Sequence, residues 1–171
     1  MLKFLKYLLK FFRSIDIFYS KDKIRYKLPK YFEFYFFKSF SSIKLKTIKK
    51  YFYAFKEKKE RFKKGQYFLA LCYKNKLVSS GWIGAGKSWL ITEIDRKIKL
   101  LNQIVIFDFI TQTDERRRGH YTKLLKIIRN KFGNKYILIY SLSSNTSSKK
   151  AIIKAGFKYD KRLYKTSCER K

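Results

Sequence analysis

The sequence predicts an α/β fold, of the α+β type, with a mixed sheet and flanking helices. Three observations carry this. Two apolar runs, Tyr67–Tyr73 and Leu77–Ile83, are separated only by Lys74-Asn75-Lys76, the pattern of a hairpin. A strongly apolar run, Gln103–Thr111, leads through a basic loop into Tyr121–Phe132, whose Leu124, Leu125 and Ile128 recur at helical spacing. The chain then alternates again: strand Tyr136–Tyr140, helix Ser147–Ala155 closed by Gly156, strand Phe157–Thr166. With 171 residues, 46% hydrophobic and 19% aromatic, the chain can bury one core and is not a disordered tail.

The earlier elements read as follows. Met1–Arg13 is an amphipathic helix: Lys3, Lys6, Lys10 and Arg13 mark one face, and Leu2, Leu5, Leu8, Leu9 and Phe12 the other. Its lysine at every turn departs from the unbroken apolar core of a secretory signal. Such a helix suits an anionic membrane surface, or packs on the domain with its lysines solvated. Residues 1–20 are therefore set apart as an amino-terminal helix and 21–171 as a single domain. Lys23–Leu28 is expected as a short strand before Pro29, Tyr31–Phe40 as an aromatic helix, and Ile43–Lys64 as a helix stopped by Gly65. No apolar run reaches the roughly 18–20 residues of a membrane span.

Charge bounds the partners. Lys and Arg number 43 against 12 Asp and Glu, a formal charge of +31. A chain so basic works against phosphate-rich ligands, anionic lipid or nucleic acid. The lysines are scattered and no nucleic-acid motif is present, which disfavours nucleic acid. Cys72 and Cys168 form no framework, and His120 is the single histidine, so a Cys/His metal site is excluded. The expected compartment is the cytoplasm, with the first helix peripheral on the inner membrane surface.

Gly81–Ser88 satisfies the spacing G-x-x-x-x-G-K-[ST] of a phosphate-binding loop. That loop must open a helix, yet Trp89-Leu90-Ile91-Thr92 reads as strand. The segment is taken as a glycine-rich turn after the second hairpin strand.

The informative stretch is Phe107–Leu125. A strand runs into Arg116-Arg117-Arg118-Gly119 and directly into a helix. Free amides and the positive dipole end at a helix start attract an anion. Arginines add bidentate donors for phosphate oxygens, and Gly119 permits close backbone approach. The arrangement fits a pyrophosphate-sized ligand.

These residues resemble the GNAT superfamily of acetyl-CoA-dependent N-acetyltransferases. Arg116, Gly119 and Leu124-Leu125 match its [RQ]-x-x-G-x-[GA] phosphate loop; Tyr121 departs at the last position. Asn145, followed eleven residues later by Gly156-Phe157, matches a second block. The resemblance covers about Tyr67–Thr166. It implies a mostly antiparallel central sheet in which two neighbouring strands, Gln103–Thr111 and Tyr136–Tyr140, splay around acetyl-CoA. Backbone groups of Ile110, Thr111 and Gln112 would meet the pantetheine arm. Amides of Arg117, Arg118, Gly119, His120, Tyr121 and Thr122, with Arg116, would hold the pyrophosphate. Asn145 would touch the arm, and Lys149 and Lys150 a further phosphate. His120 is expected to be packed or half-exposed rather than to act as a base. The tyrosine that many members place seven residues after the asparagine is Ile152 here, so Tyr140 is the candidate acid. Asp108 is the candidate base, with burial expected to raise its pKa; Glu93 is the other carboxylate considered and reads as a surface group. The expected activity is acetyl transfer to a primary amine, with an amino sugar of a nucleotide- or lipid-linked glycan precursor preferred. A polyamine acceptor fits poorly on a chain of this charge. The alternative is a basic nucleic-acid- or membrane-surface-binding protein without catalysis.

Overall fold

The computed structural model describes residues 13–165. Residues 1–12 of the expected amphipathic helix, and Cys168, lie outside the described residues. Ile15, Ile17 and Phe18 are β-branched or aromatic and buried, and Ser14–Ser20 forms strand β1. Residues 14–20, which the sequence reading set with the amino-terminal helix, thus belong to the sheet. Lys23–Leu28, expected as a strand, has no regular structure. It is tied down instead by Asn130, whose Nδ2 donates to the Ile24 carbonyl at 3.0 Å.

The aromatic segment expected as a helix is strand β2 (Phe32–Phe37). Its period is two: Phe32, Phe34 and Phe36 pack on one core cluster, Tyr35 and Phe37 on another. The single helix expected over Ile43–Lys64 is broken. Helix α1 (Lys46–Ala54) stops at Phe55, whose φ of −130° and ψ of 64° leave the helical region. A 3-10 turn, Lys56–Lys59, and helix α2 (Glu60–Lys63) follow.

Strands β3 (Tyr67–Tyr73) and β4 (Lys76–Ala85) form the expected hairpin. Lys74 and Asn75 both take positive φ, 46° and 63°, as a two-residue turn between twisted strands requires. Gly81 and Gly84 lie inside β4 rather than in a turn, and Ser88 opens strand β5 (Ser88–Ile91), paired with β6 (Arg96–Lys99). No helix follows Gly86-Lys87-Ser88, so the nucleotide-loop spacing has no phosphate-binding geometry behind it. Strand β7 (Ile104–Thr111), helix α3 (His120–Phe132), strand β8 (Ile137–Leu142), helix α4 (Thr146–Lys154) and strand β9 (Lys158–Tyr164) complete the described chain.

The seven-stranded sheet has the order β2-β3-β4-β7-β8-β1-β9. Every neighbouring pair is antiparallel except β7–β8, so the sheet is mixed and mostly antiparallel. Leu124, Leu125, Ile128 and Ile152 of α3 and α4 pack on one face, against Leu69, Leu71, Ile106 and Ile139. On the other face, Ile48 and Phe52 of α1 meet Phe68 and Trp82. Ile91 and Ile94, at the β5–β6 hairpin, meet Val105 and Leu138 there. Among the described residues no helix is long and apolar enough to cross a membrane.

Candidate functional site

Parallel pairing of β7 with β8 covers only Ile104–Ile106 opposite Ile137–Ile139. Both strands continue, to Thr111 and Leu142, without pairing to each other. On its other side β7 stays paired with β4 as far as Ser79↔Thr111. The two strands therefore splay, and a cleft of about 740 Å³ opens between them.

A β-bulge aims the side chains of β7 at this point. Pairing steps from Trp82↔Phe107 to Ser80↔Ile110, so Asp108 and Phe109 together face Gly81. Asp108 takes φ 49°. The extra residue breaks alternation: Phe107 packs in the α1 core and Phe109 in the α3 core. Gly81 is required by this geometry, since a Cβ there would sit 2.3 Å from the Phe109 ring.

At one end of the cleft, α3 begins. Gly119 precedes it in the left-handed region at φ 73°, no side chain caps the helix, and its first turn holds no acid. Arg116, Arg117, Tyr121 and Thr122 line the cleft here. Arg116 Nε donates to the Thr111 carbonyl at 3.4 Å. Uncapped amides, a positive dipole end and two guanidinium groups form a donor set suited to a diphosphate. Beyond Ile106 the side of β7 that faces β8 has no strand partner and can offer backbone groups to an amide-bearing arm, although the Thr111 carbonyl already accepts from Arg116 and the Ile110 carbonyl from the Ser79 hydroxyl. The residues present thus fit acetyl-CoA.

Three expected cofactor contacts, the Arg118, Gln112 and Lys149 ones, have other partners, while His120 does line the cleft. Arg118 turns to Glu115, Nη1 to Oε2 at 3.3 Å. The Gln112 N–H donates to the Val78 carbonyl at 3.0 Å, away from the cleft. Lys149 Nζ lies 3.0 Å from Asp16 Oδ2, held in an ion pair by a carboxylate the sequence did not single out. His120 is buried, as one expectation had it: its Nε2 meets Glu115 Oε2 at 3.1 Å and its ring lies 5.4 Å from Phe32. Burial lowers its pKa against the opposing pull of Glu115, so the imidazole is neutral at pH 7. Asn145 does line the cleft, but its Oδ1 also accepts from the Ser148 N–H at 3.0 Å and caps α4. Tyr121, at the position where the phosphate loop departs, packs its ring 5.2 Å from Phe109 and places its hydroxyl 3.4 Å from Ser148 Oγ. Its side chain forms part of the cleft wall between α3 and α4.

At the other end stand Asp108, Glu93 and Tyr140, which also line an adjoining cleft of about 360 Å³. Burial pushes the Tyr140 hydroxyl up to about 12, so it keeps its proton across the physiological range. Asp108 reverses the expectation. Burial pushes its carboxyl up, but hydrogen bonds and charge from Lys58 and Arg61 outweigh that and hold it below the usual carboxylate value. Lys58 Nζ lies 2.8 Å and Arg61 Nη1 2.7 Å from Asp108 Oδ2. Lys58 is itself buried and donates to the Tyr51 hydroxyl at 3.1 Å. Glu93, expected at the surface, is half-buried where the two clefts meet. Lys58 and Arg61 were missed because their stretch, KEKKER, reads as a solvated charge run; only its aromatic neighbours Phe55 and Phe62 hinted that it packs.

No family model matches the chain, and no curated protein matches its sequence. Solved structures do match. An acetyltransferase of the GNAT family from Colwellia psychrerythraea aligns with a TM-score of 0.57 at 12% identity, over 94% of this chain and 59% of that one. A GCN5-related N-acetyltransferase from Sphaerobacter thermophilus gives 0.57 at 9% identity, over 95% of this chain and 54% of that one. A GCN5-related N-acetyltransferase-like protein from Streptococcus suis gives 0.52 at 14%, over 95% and 65%. This chain thus spans somewhat over half the length of these proteins. Its fold is that of the GNAT acetyltransferases.

Proposed function

With that fold as premise, we propose that the protein is an N-acyltransferase that moves an acetyl group from acetyl-CoA to a primary amine. One observation carries the reading: β7 and β8 part beyond Ile106 and Ile139, and the cleft between them runs from an uncapped, arginine-flanked helix start to a protonated tyrosine. The amides of His120, Tyr121 and Thr122, with Arg116 and Arg117, hold the diphosphate. The side of β7 that faces β8 beyond Ile106, at Ile110 and Thr111, orients the arm. When bound, the cofactor supplies an activated thioester carbonyl. Tyr140 delivers its proton to the departing sulfur as general acid. Glu93, at the meeting of the clefts, receives the proton of the acceptor ammonium. Asp108 stays ionised between Lys58 and Arg61 and fixes the wall on which the acceptor rests, a role in place of the base first expected of it.

The preferred acceptor is an amino sugar in a nucleotide- or lipid-linked glycan precursor. The charge of +31 supports a phosphate-bearing acceptor and an anionic inner membrane surface met through residues 1–13, and the lack of a cysteine framework in the sequence supports a cytoplasmic site of action. Calorimetric titration with acetyl-CoA tests the reading. Binding is expected, and Arg116→Ala is expected to weaken it about tenfold, the scale of one charge-assisted hydrogen bond. Absence of heat and of any thermal shift at millimolar ligand would overturn it, leaving the non-catalytic nucleic-acid- or membrane-binding alternative.

A further inference from the structure

We propose that the second cleft seats an anionic group of the acceptor, a phosphate or a carboxylate, on Arg61 and Lys64. That the group belongs to an acceptor rests on the acyl-transfer reading; the anion site itself does not.

The lining of the cleft carries charge of both signs. Glu93, Asp108 and Tyr140 are shared with the cofactor cleft and mark where an amine would react. Arg61, Lys64, Gln66, Trp89 and Leu90 are among the other wall residues. Asp108 carries one negative charge but faces two cations, Lys58 and Arg61. The triad therefore keeps one surplus positive charge; exposed Lys64 adds another, and Glu93 at the shared wall offsets one of the two. Arg61 spends Nη1 on Asp108, and its guanidinium carbon lies 5.1 Å from the Trp82 ring and 5.3 Å from that of Phe107. The two rings flank the guanidinium, and the bond from Nη1 to Asp108 is the hydrogen bond that the Arg61 side chain makes among the described residues. A simple ammonium entering this space meets Arg61 and Lys64 as like charges. An acceptor that carries both an amine and an anion of its own matches both signs of charge in the lining.

Trp89 lines this cleft, and Trp82 and Trp89 are the only tryptophans, so intrinsic fluorescence reads occupancy without turnover. The probes are glucosamine, glucosamine 6-phosphate and muramic acid, an amino sugar with a carboxylate, titrated with and without acetyl-CoA. One or both anionic sugars are expected to bind at least about tenfold more tightly than glucosamine, consistent with a charge-assisted contact; which of the two prevails separates phosphate from carboxylate. Lys64→Glu is expected to abolish the preference. Lys131→Glu, the same charge change at an exposed residue near the end of α3, is expected to shift it less than about twofold, as ionic screening over distance requires. Equal affinities for all three sugars, or equal losses in both variants, would overturn the proposal. Retained preference without acetyl-CoA binding would sink the acyl-transfer reading and leave the anion site standing. Acetyl-CoA binding without any preference would do the reverse.

Discussion

Tyr140 and Asp108 show how neighbours assign chemistry to a residue. Tyr140 was readable as a candidate acid from its place near the end of a strand, and burial keeps its hydroxyl protonated up to about 12. Tyr140→Phe is expected to lower kcat on the order of 10²-fold, the usual scale of a lost proton donor, while the KM for acetyl-CoA stays within about twofold. Steady-state kinetics checks this, and an unchanged kcat would remove Tyr140 from the mechanism. Asp108 was legible as a carboxylate in an apolar strand, and from that alone a raised pKa follows. The bulge at φ 49° and two cations from the 3-10 turn and α2 invert the conclusion. Nothing near Asp108 in sequence announces those partners, which lie 50 and 47 residues away.

Elements were legible where their signals are local. The β3–β4 turn, the strand into Arg116–Gly119 and helices α3 and α4 each fall within a few residues of expectation. The failures were of period and of unbroken length. Phe32–Phe37 is so aromatic that its alternation was hidden among like residues, and the tie to β3 decides for strand. The long basic segment after Ile43 contains no Gly or Pro before Gly65, yet it bends at Phe55 so that Tyr51, Phe52 and Phe62 all pack on the sheet side. The start of α4 has a local signal with a measurable consequence. Asn145→Ala is expected to cost about 1 kcal/mol of stability, and Asn145→Ser to restore most of it, because the hydroxyl also accepts from the Ser148 N–H. Urea denaturation compares the three; equal stability of all three would exclude a capping role.

The whole molecule closes around Asp16, which is 3% exposed. Arg162 Nε lies 2.7 Å from its carboxylate, Lys149 Nζ 3.0 Å and Ser143 Oγ 2.9 Å, joining β1 to β9, α4 and the turn after β8. The Arg162 hydrogen bond is the largest cause that holds the Asp16 pKa at about 2, below its ordinary 3.8. A carboxyl depressed on folding stabilises the fold above its unfolded value, and that contribution fades as pH falls toward the folded value. The shift corresponds to about 2 kcal/mol, present above about pH 4 and lost progressively toward about pH 2. Asp16→Asn is expected to lower stability at pH 7, where the pairing is intact, and to lower it less at pH 2.5. Denaturant melts at both pH values check this; an equal loss at both would show that the ion pairs contribute nothing.

The sequence by itself determined the hairpin, the strand–loop–helix junction at Arg116–Gly119 and the α/β order, because turns, helix starts and hydrophobic period act over a few neighbouring residues. Tertiary structure alone decided that β1 inserts between β8 and β9, that Lys149 is taken by Asp16, and that Lys58 and Arg61 reach Asp108 to shape a second cleft. Those outcomes depend on charges and strand edges brought together from distant parts of the chain, where desolvation and packing choose among partners that local sequence leaves equal.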